Sequence, residues 1–135
     1  MVAEPVAALM SIRQPYTDLI LDGTKKVELR RVPMKRDITH VIIYESGGTG
    51  RVVGYFEVSH VIEDAPATIW RRFRGVTGLK KAEFDDYYSG RDVAVAIGVK
   101  RAVRLKTPRS LADFQIDRPP QSFMYLCASY LRDLS

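Results

Sequence analysis

Four residues near the N-terminus have types and spacing suited to chemistry: Gly23, Lys25, Glu28 and Arg30, in the pattern Gly-x-Lys-x-x-Glu-x-Arg. On an extended chain side chains alternate, so Glu28 and Arg30 share one face and set a carboxylate beside a guanidinium fork. A carboxylate held next to Arg⁺ stays ionised and oriented. It can accept from an exocyclic amine, while Lys and Arg can hold a phosphate or a base carbonyl. Lys25 falls in or just after a turn, so the period of two does not set its direction. Taken alone, the pattern is better read as an exposed ion pair worth about 0–1 kcal/mol.

Other candidate constellations are weaker. His40 and His60 stand twenty residues apart, with no Cys or carboxylate spacing that resembles a metal site, and no cofactor is expected. Gly47-Gly48-Thr49-Gly50-Arg51 is glycine-rich but lacks the Gly-Lys-Ser/Thr ending of a phosphate loop, and it reads as a flexible hairpin loop. There is no Gly-x-Ser-x-Gly elbow. The single cysteine, Cys127, sits in the apolar run Met124 to Ala128, which suits a buried, reduced thiol.

These residues must be positioned by a small set of elements. Ala8 to Ile12 reads as a first strand, and Pro15 to Leu21 as a short helix with Pro in its first turn and Gly23 at a left-handed cap. Lys26 to Arg31 alternates, with Val27 and Leu29 facing inward, and so predicts a half-buried strand with a charged outer face. His40 to Glu45 and Arg51 to Ser59 form a hairpin, with Gly54 marking a bulge or a close backbone approach. Short helical segments follow at Ala67 to Arg74 and Leu79 to Tyr88. Val93 to Leu105 is the longest strand signal. After Pro119-Pro120 come an apolar run from Phe123 to Leu126 and a helical stripe of Tyr130, Leu131 and Leu134. Strands dominate without βαβ alternation, which predicts an α+β domain built on a small bent barrel of mixed or antiparallel strands with peripheral helices.

The 135 residues are 46% hydrophobic and 27% charged, as expected of one soluble domain spanning 1–135. No apolar run approaches the ~20 residues of a membrane span. The start, MVAEPVAALMSI, has no basic region ahead of its apolar run and carries Glu4, so it suits a strand better than a leader, and a cytoplasmic location is expected. The net charge of +5 is concentrated in Arg30, Arg31, Lys35 and Arg36; in Arg71, Arg72 and Arg74; and in Lys100, Arg101, Arg104, Lys106 and Arg109. Such clusters suit a polyanion, and equally a solvated surface.

The flanks of the Gly23–Arg30 pattern extend its meaning. Ser11-Ile12-Arg13-Gln14-Pro15, Val53-Gly54-Tyr55-Phe56-Glu57-Val58 and Pro119-Pro120-Gln121-Ser122-Phe123 stand around it in an order that resembles the ASCH family of the PUA-like superfold. The resemblance covers most of the chain. It implies a PUA-like barrel with a cleft against the first helix, lined by Lys25, Glu28 and Arg30. By position, Ser11, Arg13, Gln121 and Ser122 are expected nearby. Tyr44 offers a stacking face or hydroxyl, or else a half-buried strand aromatic, and Arg51 lies across its hairpin.

The resemblance implies a partner that is RNA or a modified nucleoside, with basic clusters on the backbone and Glu28, Arg30 and Gln121 on base edges, in RNA metabolism or the regulation of transcription or translation. Two enzymatic readings accompany it. Relatives that hydrolyse N4-acetylcytidine use a Lys, a Thr and a Glu. Lys25 matches the Lys, but Glu28 occupies the Thr position and the second helical region offers no evident partner carboxylate, so that activity is not carried over. The other is metal-independent RNA cleavage, with Lys25, Tyr44 and Ser122 as candidate catalytic residues and Arg51 as a further cation. Longer relatives add helix-turn-helix modules. None is evident here, so duplex-DNA reading is not expected, and the oligomeric state stays open.

Overall fold

The structure is a computed structural model that describes residues 5–134. Glu4 and the residues before it, part of the stretch weighed as a leader, lie outside the described residues. Among the described residues there are six strands: β1 (Val6–Arg13), β2 (Val27–Arg30), β3 (His40–Ser46), β4 (Val52–Asp64), β5 (Ala94–Arg109) and β6 (Phe123–Cys127). Three helices accompany them: α1 (Tyr16–Leu21), α2 (Pro66–Phe73) and α3 (Lys81–Tyr87), with 3₁₀ turns at Leu111–Phe114 and Ala128–Asp133.

The strands form one mixed sheet in the order β2-β5-β4-β3-β1-β6. β1 and β3 run parallel, Ala7 opposite His40 through Arg13 opposite Ser46. All other neighbours are antiparallel. The sheet curls into a half-barrel with short helices around it, the bent α+β sheet that the strand pattern predicts and the PUA-like fold that the family resemblance implies. The inner face holds Ala8, Met10, Ile12, Val41, Ile43, Phe56, Val95 and Ile97, with Ile20 of α1 closing one end. Alternate residues of the same strands, Ala7, Leu9, Ile42 and Val52, meet Leu105, Phe114 and Leu134 in a second cluster on the other face. This is the period-two consequence of a sheet buried on both faces.

The bending has local causes. Pairing slips between Ile43 and Tyr44, between Val52 and Gly54, and again between Glu57 and Val61. Extra residues at such bulges increase twist and re-aim the strand. Gly54 supplies both features its position predicts: a Cβ there would lie 2.6 Å from the Val103 carbonyl oxygen and 2.7 Å from Leu21 Cδ2. Only a bare backbone lets α1 and β5 approach this closely.

Several expectations are corrected. β2 is not half-buried: all four residues, Val27 to Arg30, are inside. Val27 and Leu29 pack on Ile69, Phe84 and Tyr88 of α2 and α3, while Glu28 and Arg30 face inward from the opposite side. β4 continues to Asp64 and β5 to Arg109, because their long antiparallel pairing carries both past the sequence signal. Val93 precedes β5 and is exposed. Cys127 is exposed too, at the last position of β6, the strand at one edge of the sheet. The C-terminal stripe, by contrast, is helical as expected, in 3₁₀ form over Ala128–Asp133, with Leu134 buried at its end. Among the described residues no helix is long and apolar enough to cross a membrane.

Candidate nucleic-acid interface

Elements far apart in the chain meet at one end of the half-barrel around a cleft of about 1060 Å³. Its floor is β2. Its walls are the end of β1, α1, the 46–50 loop, α3 and the 119–123 segment. Eight of the nine sequence-predicted residues line it: Ser11, Arg13, Lys25, Glu28, Arg30, Tyr44, Gln121 and Ser122. Arg51 does not; it is exposed just beyond the loop, with its backbone carbonyl accepting from Glu45 N at 2.9 Å.

The floor is a buried charge array. Glu28 Oε2 accepts from Arg30 Nη2 at 2.8 Å, and Glu28 Oε1 lies 3.8 Å from Lys25 Nζ. Lys25 is 3% exposed, and its ammonium donates to the Thr77 carbonyl. Leu19 O accepts from Lys25 N at 2.9 Å, so the backbone of α1 fixes where this side chain starts. The direction left open by periodicity is thereby decided: Lys25 points to the same side as Glu28. Burial lowers its pKa below the ordinary 10.5; Glu28 opposes the shift and Arg30 adds to it.

Arg30 is also a structural clasp. Nη1 donates to Ser122 Oγ at 3.0 Å, and Nη2 to the Ser11 carbonyl at 3.1 Å as well as to Glu28. Its Nε is buried without a partner among the described residues. Ser11 N donates to Ser122 O at 2.9 Å, and Ser11 Oγ to Pro120 O at 2.5 Å, which seats the Gln121–Ser122 turn beside it. Tyr88 Oη donates to Arg30 O and Tyr87 Oη to Leu29 O, capping the open edge of β2. Burial raises the pKa of both phenols, so they are hydroxyl donors at neutral pH.

Several lining residues were not singled out from the sequence. Tyr16, the first residue of α1, stands with its ring centroid 5.6 Å from Lys25 Nζ. Its hydroxyl donates to Glu83 Oε2 at 3.4 Å, across the cleft from α1 to α3. Glu83 and Asp86 both line the cleft, so the second helical region does supply carboxylates, contrary to the sequence reading. Arg31 stacks over the Tyr87 ring at 4.8 Å, and Arg91 joins the rim. Nothing local in the sequence marks the α3 residues, because only tertiary packing carries α3 to β2.

The 46–50 loop is better tied than a flexible hairpin loop. Glu45 Oε1 accepts from Thr49 N at 3.0 Å, Glu45 O accepts from Gly50 N at 3.1 Å, and Gly47 and Gly50 take positive φ. Among the described residues no group of three His, Cys, Asp or Glu side chains converges as a metal would require.

Comparison with known proteins bears on this arrangement. The family model of the ASCH domain matches residues 10–102. The chain is 33% identical over 125 residues to the large ribosomal subunit protein uL22 of Ureaplasma parvum, covering 91% of this chain but only 40% of that protein. It is 26% identical over 126 residues to the ASCH domain-containing ribonuclease of Zymomonas mobilis, covering 88% of this chain and 83% of that one. The crystal structure of ASCH from Zymomonas mobilis superimposes with a TM-score of 0.84 at 22% identity, over 95% of this chain and 92% of that chain. A serine-to-alanine variant of the same protein gives 0.85 at 21% identity, over 98% and 96%. At these identities the solved structures speak to the fold.

Proposed function

The chain belongs to the ASCH domain family, and on that premise we propose that its cleft binds single-stranded RNA, with one base, plain or modified, seated over the buried floor. The observation that supports this reading is the Lys25–Glu28–Arg30 array itself. Burying an ammonium and a carboxylate costs several kcal/mol per ion, roughly what their attraction returns, so apolar residues would serve stability as well. An array kept at the floor of an open cleft, with hydrogen-bonding groups aimed along one face, suits ligand recognition. Glu28, Arg30 and Gln121 are matched to base edges, the Tyr16 and Tyr87 rings to stacking, and Arg13 and Arg31 to phosphates.

The test is fluorescence anisotropy with a labelled single-stranded RNA across a salt series. Affinity should fall steeply as salt rises, because released counterions contribute. A flat salt response, or equal affinity for Glu28→Gln on every sequence tried, would count against phosphate-positioned base reading.

A second reading, metal-independent ribonuclease action, is favoured by the lowered pKa of Lys25 and by the name of the Zymomonas mobilis relative. The reaction would be attack of the ribose 2′-oxygen on the adjacent phosphorus with loss of the 2′-OH proton to a base. The P–O5′ bond breaks and an acid protonates the leaving 5′-oxygen, giving a 2′,3′-cyclic phosphate and a 5′-hydroxyl. Lys25, more readily neutral than an ordinary lysine, suits proton transfer, and Tyr44 and Ser122 supply hydroxyls on the same cleft. Labelled RNA incubated with the protein and EDTA should be cut to cyclic-phosphate ends, and Lys25→Ala or Ser122→Ala should abolish cutting. Intact RNA under these conditions leaves a binding domain alone.

A further inference from the structure

Glu45 is 5% exposed, contributes no atom to the cleft lining, and yet holds two of its walls through three hydrogen bonds. Its Oε2 accepts from Thr17 Oγ1 at 2.5 Å, and Thr17, fully buried, lies on α1 directly after Tyr16. Its Oε1 accepts from Thr49 N at 3.0 Å, and its backbone carbonyl accepts from Gly50 N at 3.1 Å. It directly follows Tyr44, at the end of β3 where the strand register slips. The loop it holds packs tightly against it: a Cβ at Gly48 would lie 2.6 Å from Glu45 Oε1. With Gly47, Gly48 and Gly50 all on the lining, this wall of the cleft is backbone, and a ligand can approach it without side-chain hindrance.

A surface hairpin loop needs no buried carboxylate. A carboxylate costs several kcal/mol to bury unless its oxygens are satisfied, and here they are satisfied by two different walls of one cleft. We propose that Glu45 is the positioning residue of the cleft, locking α1 to the glycine loop so that Tyr16, Tyr44 and the loop backbone stand in the arrangement that receives RNA. This rests on the RNA-binding reading above for its ligand, though not for the clamp itself. Glu45 acts through those neighbours and touches no substrate.

The experiment compares wild type with Glu45→Gln, Thr17→Val and Thr17→Ser. Each is measured by anisotropy with labelled single-stranded RNA, by amide hydrogen exchange at Thr49 and Gly50, and by thermal unfolding. Glu45→Gln removes the charge: its carbonyl can still accept from Thr49 N–H, but the Thr17 hydroxyl must turn from donor to acceptor and both bonds become neutral, while Thr17→Val leaves Glu45 Oε2 without its donor. Both should weaken RNA binding about tenfold or more, the loss expected for one hydrogen bond to a charged group, and speed exchange at Thr49 and Gly50. Thr17→Ser keeps the hydroxyl and should bind as wild type does. Wild-type affinity in Glu45→Gln and Thr17→Val would overturn the proposal. So would an equal loss in Thr17→Ser, or a loss seen only in variants already unfolded at the assay temperature. If wild type itself binds no RNA, the functional reading fails, and exchange decides the clamp: unchanged protection in Glu45→Gln overturns it, and faster exchange in both Glu45→Gln and Thr17→Val sustains it.

Discussion

Arg30 Nη1 donates to Ser122 Oγ at 3.0 Å, joining two residues ninety-two positions apart at opposite ends of the sheet order. β2 and β6 are the terminal strands and do not pair with each other, so the barrel has a seam. One guanidinium bridges it, reaching Ser122 and the Ser11 carbonyl while its third contact, Glu28, stays on its own strand. The planar fork of Arg suits this task and the single point charge of Lys does not.

Arg30→Ala should therefore destabilise the fold by about 3–5 kcal/mol, because Glu28 is left buried beside an incomplete partner set. Arg30→Lys should recover only part of that loss, since an ammonium cannot reach Glu28, Ser11 and Ser122 together. Urea unfolding measures both. Equal stability of Arg30→Lys and wild type would show that the seam does not depend on the fork.

Lys25 should titrate below 10.5, visible in the pH dependence of its side-chain ¹³Cε or ¹⁵Nζ resonance. The sign for stability follows from proton counting. Between the lowered native pKa and 10.5 the unfolded chain binds more protons than the native one, so unfolding free energy rises with pH through that window. The difference between wild type and Lys25→Met should accordingly shift in favour of wild type as pH climbs toward 10.5. A difference that is flat or falls would contradict the burial that dominates the shift.

Gly54→Ala should cost about 1–3 kcal/mol, the usual range for overpacking. Its Cβ would meet the Val103 carbonyl as well as Leu21, and of these only the leucine end can yield cheaply. A thermal melt within a degree of wild type would mean that α1 rides on β4 and β5 more loosely than the contacts imply.

Arg31 stacks on Tyr87 at the cleft rim and is exposed, so Arg31→Ala should leave folding intact. If Arg31 neutralises a phosphate, the same change should lower the slope of log affinity against log salt by about 1. An unchanged slope, with affinity reduced at all salt concentrations, would assign Arg31 to stacking or shape rather than to the backbone.

Much of the architecture was legible in the chain. Strand periodicity located five of the six strands to within their ends, the sixth being read only as an apolar run, and Gly23 and Gly54 marked a turn and a close backbone approach. The ends were misjudged where pairing, not local pattern, extends a strand, as in β4 beyond Ser59 and β5 beyond Leu105. Cys127 was misplaced because an apolar run carries no information on where its strand lies in the sheet, and this residue ends the edge strand β6. The candidate site was legible where it is local: Lys25, Glu28 and Arg30 lie within six residues and meet on the floor. Tyr16, Glu83, Tyr87 and the buried role of Glu45 were not, because each depends on a neighbour distant in the chain.

By itself, then, the sequence determined which residues could carry charge chemistry and that Glu28 and Arg30 share a face, since a strand's period of two is a property of the backbone. Tertiary structure decided that this face is buried rather than solvated. α2 and α3 cover one side of β2, and the curl of the sheet brings β1 and the 119–123 turn over the other. That placement turns a surface ion pair of little consequence into a low-dielectric array, where the proton affinity of Lys25 falls and each hydrogen bond gains strength.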